Sequence, residues 1–180
     1  RRVVVTGIGT INPLGNTVDS SWNSLINSNS GISKITKFQV DTLPCKIAGS
    51  IDDEKINVDI VSSRDQRKID RFITLGLIAA DEAIKDSGFN IDNKNSVRSG
   101  VMVGSGIGGL DTIYKNSSIL DNQGLRKISP FFIPSSLINL LSGHISIKYN
   151  LKGPNSSPVT ACATGTHAIG GSFTLIKNNK

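Results

Sequence analysis

Cys162 is the side chain whose type and setting best suit covalent chemistry. Residues 157–162 predict a short strand, and Thr164-Gly165-Thr166 predict the start of a last helix that runs through Ile176. A sulfur at a helix N-terminus meets oriented backbone N–H groups, which favour a thiolate and can stabilise an oxyanion formed by attack on a carbonyl. We therefore interpret Cys162 as a candidate nucleophile. The alternative is a small buried cysteine that fills space in the core.

The other cysteine and the two histidines are weaker candidates. Cys45 lies in a proline-containing loop with no helix start after it, which indicates a structural residue. His167 follows Cys162 by about one helical turn, where a hydrogen-bonded structural role is favoured, and His144 lies in an apolar helix. The spacing of these four residues fits neither a disulfide framework nor a zinc site. We expect reduced thiols, no metal and no cofactor.

A glycine-rich run at residues 104–109 follows a predicted strand at 100–103. Its G-x-G-x-x-G spacing matches the dinucleotide-binding fingerprint, and an acidic residue follows at Asp121. No clean helix and second strand lie between them, however, so the ribose-binding half of the unit is missing. We predict a turn whose backbone approaches another segment closely, with nucleotide binding as a weaker alternative.

Basic residues concentrate in two short segments, 64–71 and 126–127, which together carry four of the six net positive charges. A charge run of this kind usually marks a solvated helix face. The functional alternative is a docking surface for an acidic partner. Nucleic acid is a poor fit, because no aromatic residues alternate with these charges.

Composition indicates an ordinary globular domain. The chain has 180 residues, of which 37% are hydrophobic and 19% are charged. Its longest apolar stretch, residues 72–80, falls far short of the roughly 20 residues that span a bilayer. We expect no membrane span and a cytoplasmic location.

Hydrophobic spacing predicts strands and helices in alternation. We expect a buried strand over residues 3–11, a short helix capped by Asp19-Ser20-Ser21, and irregular chain with short strands over 32–60. Ser62-Ser63 then predict the cap of one long amphipathic helix, which ends at Ser87-Gly88.

The second half of the chain continues the alternation. After the glycine-rich run we expect a polar loop through Arg126-Lys127, and Pro134 predicts the start of a helix that ends at Tyr149-Asn150. The residues of that helix expected to face inward are Leu137, Ile138, Leu141, Ile145 and Ile147. This order of elements predicts an α/β fold with a largely buried sheet.

Five sequence blocks in one order carry a resemblance to a known family. They are residues 1–9 (RRVVVTGIG), 66–70 (QRKID), 104–109 (GSGIGG), 126–132 (RKISPFF) and 160–162 (TAC). The chain resembles the β-ketoacyl-acyl-carrier-protein synthases, most closely the type II condensing enzymes of bacterial fatty-acid synthesis. The resemblance implies a thiolase-like fold of two similar α/β halves, usually in a homodimer. Residues 1–180 would form the amino-terminal β-ketoacyl synthase domain.

The resemblance also implies a role for Cys162. In the family, the cysteine of this block accepts an acyl chain from acyl-carrier protein. A malonyl-carrier thioester then loses carbon dioxide, and the carbanion attacks the acyl thioester in a Claisen condensation that gives 3-oxoacyl-carrier. By the same resemblance the Cys162 backbone N–H is an oxyanion donor, Ile107 and Ala161 lie at the acyl pocket, and Phe132 reaches the pocket of the dimer partner.

The carrier-docking surface of the family is basic. The resemblance places there Arg64, Arg67, Lys68, Arg126 and Lys127. Family members are more than twice as long as this chain, and the two histidines and the lysine that drive decarboxylation lie in their carboxy-terminal half. Neither His144 nor His167 matches those positions. We therefore expect these residues alone to lack condensing activity, and the alternative is a carrier-binding module without chemistry.

Overall fold

The computed structural model describes residues 1–53, 56 and 59–178. In this part of the chain, helices and short strands are mixed, as the predicted α/β class requires. The elements are α1 (Val18–Ile26), β1 (Ile32–Lys34), β2 (Ile47–Gly49), α2 (Ser63–Gln66), α3 (Arg71–Ser87), β3 (Val101–Met102), α4 (Leu110–Gln123), α5 (Phe132–Ser136), α6 (Asn139–Tyr149), β4 (Asn155–Ser156) and α7 (Thr164–Lys177). Short 3₁₀ turns occur at Ser96–Arg98, Leu125–Lys127 and Ala161–Ala163. None of the helices described is long and apolar enough to cross a membrane.

The strands form two pairs. β1 and β2 are antiparallel and mostly exposed, which confirms the short strands predicted within residues 32–60. The expectation of a largely buried sheet is wrong for the described strands, because only Val101 of β3 is buried. β3 and β4 are parallel, with Val101 opposite Asn155, and β3 lies within the strand predicted at 100–103. The strand predicted at 157–162 is wrong, because the pairing ends at Ser156. Pro158 follows and has no N–H to donate to a ladder.

Two compact units divide the chain. The first consists of the described residues of Arg1–Val5, Val61–Leu77 and Phe89–Lys180. Its core contains the fully buried Ile73 of α3, together with Leu141 and Ile145 of α6 and Val101 of β3. A Cβ at Gly76 would lie 2.5 Å from a methyl carbon of Leu141, so this glycine allows α3 and α6 to pack closely.

The second unit consists of Thr6–Ile60 and Ile78–Gly88. Its residues 7–10 lie against the second half of α3 and form no strand, so the strand predicted at 3–11 is wrong. Helix carboxylates take the N–H groups that a ladder would use: Ile8 donates to Asp86 Oδ2 at 2.8 Å, and Thr10 donates to Glu82 Oε2 at 2.9 Å. The other oxygen of Glu82 accepts the N–H of Val18, the first residue of α1, at 2.8 Å.

The predicted helix near Trp22 is confirmed as α1, but its cap differs from the prediction. Thr17, and not Asp19-Ser20-Ser21, precedes the helix and forms a reciprocal capping box with Ser20. The reason is local, since Thr17 has extended backbone and its hydroxyl accepts the Ser20 N–H at 3.1 Å.

The long helix predicted after Ser62-Ser63 is two helices, α2 and α3. Ser62 caps α2 as predicted, by accepting the Asp65 N–H at 3.1 Å. The chain then breaks at residues 67–70, because Asp70 caps a new start by accepting the N–H of Phe72 at 3.1 Å. The predicted end is confirmed, with α3 ending at Ser87 and Gly88 at φ +60°.

The polar loop predicted after the glycine-rich run is wrong, since residues 110–123 form α4. Polar side chains stabilise this helix locally. Asp111 pairs with Lys115 one turn later at 2.5 Å, and the Asn116 amide donates to the carbonyl of Thr112 at 2.9 Å. A low apolar content therefore did not prevent helix formation.

The helix predicted from Pro134 is also divided, into α5 and α6, and Pro134 is the third residue of α5. Leu141 and Ile145 are buried as predicted, but Ile147 is 81% exposed. Leu137, also predicted to face inward, is exposed at the link between the two helices. Asn150 ends α6 in the left-handed conformation, at φ +54°.

Candidate active site

Cys162 lies in a tight turn that leads directly into α7. It is exposed and belongs to the 3₁₀ turn Ala161–Ala163, which is followed without a break by the helix. The preceding residue, Ala161, has φ +50°, a left-handed conformation that costs a residue with a Cβ on the order of 1 kcal/mol or more. The sharp turn predicted at Cys162 is confirmed, and the alternative of a buried core cysteine is wrong.

The hydroxyl of Thr164 holds this turn together. It accepts the N–H of Thr160 at 2.9 Å and donates to the carbonyl of Ala161 at 2.8 Å, while the Thr164 residue is only 5% exposed. The N–H of Ala163 also reaches the carbonyl of Thr160, at 3.0 Å. Sequence reasoning missed this role of Thr164. The available signal was a threonine at the first helical position, where hydroxyls bond nearby backbone groups.

One backbone donor beside the Cys162 sulfur is unpaired among the residues that the structure describes. Within the described chain, the Cys162 N–H has no hydrogen-bond acceptor. Residue Ala163 provides no side-chain cap for α7, and the first turn of this helix contains no acidic residue. The Cys162 N–H, beside the start of a helix of 14 residues, is thus available to a negatively charged substrate oxygen.

The glycine-rich turn lies against the Cys162 turn. A Cβ on Gly104 would be 2.0 Å from the carbonyl oxygen of Pro158, and one on Gly106 would be 3.4 Å from that of Ala161. This confirms the predicted close backbone approach. Ile107 lies at the exposed tip of the turn, with 63% of its surface accessible. The structure thereby brings the turn that contains Ile107 next to Ala161.

Phe132 is connected to this region through α5. It is the half-buried first residue of α5, and Ser136 is the last. The carbonyl of Ser136 accepts the N–H of Gly109 at 3.1 Å, so the far end of α5 contacts the glycine-rich turn.

The two histidines do not serve as partners of the thiol. Neither one forms a hydrogen bond with Cys162 in the described residues. His167 is exposed, and its Nδ1 lies 3.4 Å from the hydroxyl of Thr160, in agreement with the predicted hydrogen-bonded role. His144 is half-buried in α6, where burial lowers its pKa from the ordinary value, with the charge of Asp65 acting weakly in the opposite direction.

The first basic segment lies around α2. Arg64 and Arg67 are exposed, and the Lys68 ammonium lies 3.1 Å from Asp65 Oδ1 and 5.5 Å from the centre of the Phe131 ring. A hydrogen bond from the Ser62 hydroxyl, followed by one from Lys68, lowers the pKa of the exposed Asp65 carboxyl.

The second basic segment, Arg126-Lys127, is exposed in the 3₁₀ turn after α4. Lys68 of the first basic segment contacts Phe131, which lies four residues after Lys127 of the second basic segment. A cavity of about 260 Å³ lies here, lined among others by Arg67, Arg71 and Lys115. The lining also contains the carboxylates of Asp70 and Asp111, so basic side chains exceed acidic ones there by three to two.

Known proteins are similar to this chain over nearly its whole length. Residues 1–180 match the family model of the β-ketoacyl synthase N-terminal domain. The chain is 46% identical over 179 residues to 3-oxoacyl-[acyl-carrier-protein] synthase 2 of Coxiella burnetii, covering 99% of this chain and 43% of that protein. It is 46% identical over 176 residues to the protein of the same name from Vibrio harveyi, covering 98% and 42%. The chain therefore spans less than half the length of these curated relatives.

Solved structures show the same fold. A β-ketoacyl synthase from Burkholderia phymatum superposes with a TM-score of 0.81 at 23% identity, covering 100% of this chain and 44% of that one. A type II PKS acyl-carrier protein in complex with its ketosynthase, bound to the hexaketide, gives a TM-score of 0.73 at 26% identity, covering 99% and 47%. The fold is the amino-terminal part of a thiolase-like ketosynthase.

Proposed function

The chain belongs to the β-ketoacyl synthase family. From that premise we propose that it functions as the amino-terminal domain of a 3-oxoacyl-acyl-carrier-protein synthase, a condensing enzyme of fatty-acid elongation. The observation that carries this proposal is the exposed Cys162 in a strained turn at the uncapped N-terminus of α7. Two curated relatives that share close to half of its residues have that function in their names.

In the proposed reaction, the Cys162 sulfur attacks the carbonyl carbon of an acyl-carrier thioester. A carbon–sulfur bond forms, and the carbonyl oxygen becomes an oxyanion that accepts the free N–H of Cys162. Collapse of this intermediate breaks the bond to the carrier sulfur, which leaves as a thiolate and takes up a proton. The acyl group then remains on Cys162 as a thioester.

The second half of the reaction forms the new carbon–carbon bond. Malonyl-carrier loses carbon dioxide, and the electron pair of the broken bond stays on the neighbouring carbon. This carbanion attacks the acyl carbonyl on Cys162, and the carbon–sulfur bond breaks to release the Cys162 thiolate and 3-oxoacyl-carrier. In the family, histidine and lysine side chains that correspond to neither His144 nor His167 assist decarboxylation, so the step assigned to this chain is acyl transfer to the thiol.

The acyl pocket in this proposal includes Ile107 and Ala161, which the close approach of Gly106 brings together. Phe132 is proposed to reach the pocket of a second copy in a homodimer. Exposed apolar side chains on the neighbouring segments support such an interface, since large apolar surfaces are rarely left in water. They are Leu110, Ile113, Tyr114 and Ile133.

Acyl-carrier protein is the proposed partner of the basic segments. Arg67 lines the cavity that includes Phe131, Lys68 contacts the Phe131 ring, and Arg64 is exposed in α2. Arg126-Lys127 precede Phe131 in the chain. Exposed charges of this kind speed encounter and set orientation with an acidic protein. A complex of a related ketosynthase with its acyl-carrier protein supports the proposal. A cytoplasmic location belongs to the same proposal, because the nucleophilic thiol must stay reduced.

The test is acylation of the two free cysteines. An octanoyl thioester of the carrier protein should label Cys162 much faster than Cys45, as read by peptide mass spectrometry. Both thiols are free and exposed, so access alone does not separate them. Equal labelling of the two would contradict the proposed nucleophile.

A second candidate function is carrier binding without chemistry. It is favoured by the share of the relatives that this chain covers, 43% of the Coxiella burnetii protein. This candidate predicts affinity for the carrier that falls as salt rises, with no acyl transfer to Cys162. Binding together with acylation would instead support the synthase.

A further inference from the structure

Asp70 is a buried carboxylate that caps two helices at once. The residue is 7% exposed and lies immediately before α3. Its Oδ1 accepts the N–H of Phe72 in the first turn of α3 at 3.1 Å. Its Oδ2 accepts both the N–H and the hydroxyl of Thr112 in the first turn of α4, at 3.1 and 2.6 Å. One side chain thus holds the starts of two helices that are separated by about forty residues of sequence.

Helix α4 depends on this distant cap because its own cap position has no side chain. Residue Gly109 precedes α4 and forms no side-chain cap. A Cβ at this glycine would lie 2.6 Å from the Cα of Ser136 and 3.2 Å from Asp70 Oδ2, so a capping side chain does not fit there. The Asp70 carboxylate supplies the acceptor that the glycine lacks.

The capped end of α4 is also the end of the glycine-rich turn. Gly109 is two residues beyond Ile107, and the preceding Gly108 has φ +77°. A Cβ at Gly108 would be 2.8 Å from the Ser136 carbonyl oxygen, so the turn has little room on that side. A shift of Thr112 away from Asp70 would therefore move the turn that contains Ile107.

We propose that Asp70 is a positioning residue that sets the placement of the glycine-rich turn and thereby the acyl-chain length that Cys162 accepts. This inference rests on the proposed function, because it concerns the acyl pocket of that reaction. Asp70 contacts no substrate and acts through Thr112 and Gly109 on the turn at Ile107. A carboxylate is required, since two oxygens must accept three hydrogen bonds without donating one.

The test compares acylation rates of Cys162 with hexanoyl-carrier and palmitoyl-carrier in the full-length protein. D70N replaces one acceptor oxygen with a donor amide, and T112V removes the hydroxyl bond while it keeps the Thr112 N–H. T112S keeps both donors to Asp70. D121N is the matched control, because Asp121 is an exposed carboxylate further along the same helix.

We expect D70N to change the ratio of the two rates by about fivefold and T112V by about twofold. T112S and D121N should keep the wild-type ratio. A merely stabilising cap would lower both rates by the same factor, so an unchanged ratio in D70N would overturn the proposal. If D70N does not fold, T112V decides by the same criterion. A wild-type protein in which Cys162 is not acylated at all would instead contradict the proposed function, and this inference with it.

Discussion

Cys45 and Cys162 are both free and exposed, yet their surroundings differ. Cys45 lies in a loop, where its thiol donates to the carbonyl of Ile47 at 3.3 Å. Cys162 lies at a helix start, next to a strained Ala161 and with its own N–H unpaired within the described chain. The comparison teaches that access to solvent does not distinguish the two thiols. The feature that separates Cys162, the proposed nucleophile, is a backbone donor at a helix start that is unpaired among the described residues.

The most direct way to break this comparison is to remove each sulfur in turn. C162A should lower acylation of the protein by more than about a thousandfold, because it removes the proposed nucleophile and leaves only the less reactive Cys45 thiol. C45A is the matched control and should retain the wild-type rate. The measurement is incorporation of a radiolabelled acyl group from carrier thioester. Loss of acylation in C45A together with a wild-type rate in C162A would reverse the roles of the two cysteines.

A second prediction concerns the turn that makes Cys162 different. T164V removes the hydroxyl that bonds Thr160 and Ala161, which should slow acylation of Cys162 about tenfold and cost about 1 kcal/mol of unfolding free energy. Mass spectrometry of samples quenched at successive times measures the acylation rate, and thermal unfolding measures the change in stability.

T166V is the control for this variant, since Thr166 is exposed on the same helix. T164S keeps the hydroxyl and should retain most of the wild-type rate. A T164V protein that is acylated at the wild-type rate would show that the turn does not need this side chain.

A third prediction concerns the first basic segment, around α2, and distinguishes reactivity of the Cys162 thiol from delivery of the substrate by the carrier. R67E should slow acylation of Cys162 from carrier thioester several-fold, by about three- to tenfold at low salt, because it reverses a charge on the proposed docking surface. Acylation from a small pantetheine thioester should not change. K94E makes the same charge reversal at an exposed lysine of another loop. Equal effects of R67E and K94E would show that only net charge matters.

The smallest effect on the comparison is expected from His144. Its pKa is lowered by burial, so the unfolded chain binds the proton more readily than the folded one. The stability that His144 contributes is fully present above the ordinary pKa of about 6.5 and is lost as pH falls below it. H144Q should therefore flatten the pH dependence of unfolding below that value. The preference for Cys162 over Cys45 should stay the same, and a changed preference would assign His144 a role at the thiol.

Local signals in the sequence predicted the Cys162 turn well. A cysteine between small residues, just before a helix start, needs only neighbouring residues to define its setting, and the helix after Thr164 formed as expected. The start of α2 after Ser62 and the end of α3 at Ser87 could be predicted for the same reason. The left-handed backbone of Ala161 and its support by the Thr164 hydroxyl could not be predicted, because residue propensity does not specify which hydroxyl bonds which carbonyl.

Features that depend on distant carboxylates escaped prediction. Asp70 breaks one apparent helix and starts another, and it also caps α4, whose low apolar content predicted a loop. Asp86 and Glu82 take N–H groups from residues 8 and 10, so that an apolar, strand-like segment lies on a helix and forms no ladder. The contacts of Asp70 with Thr112, Asp86 with Ile8 and Glu82 with Thr10 join residues more than forty positions apart in the chain. The local apolar pattern favoured a different structure at each place.

The double contact of Glu82 has a consequence for local opening of the second unit. One oxygen of this carboxylate holds the Thr10 amide and the other holds the Val18 amide. In hydrogen–deuterium exchange, protection at these two amides should be lost together when a single side chain swings away, although they belong to a non-helical segment and to a helix. Glu82 thus makes the start of α1 and the chain before it open as one cooperative unit.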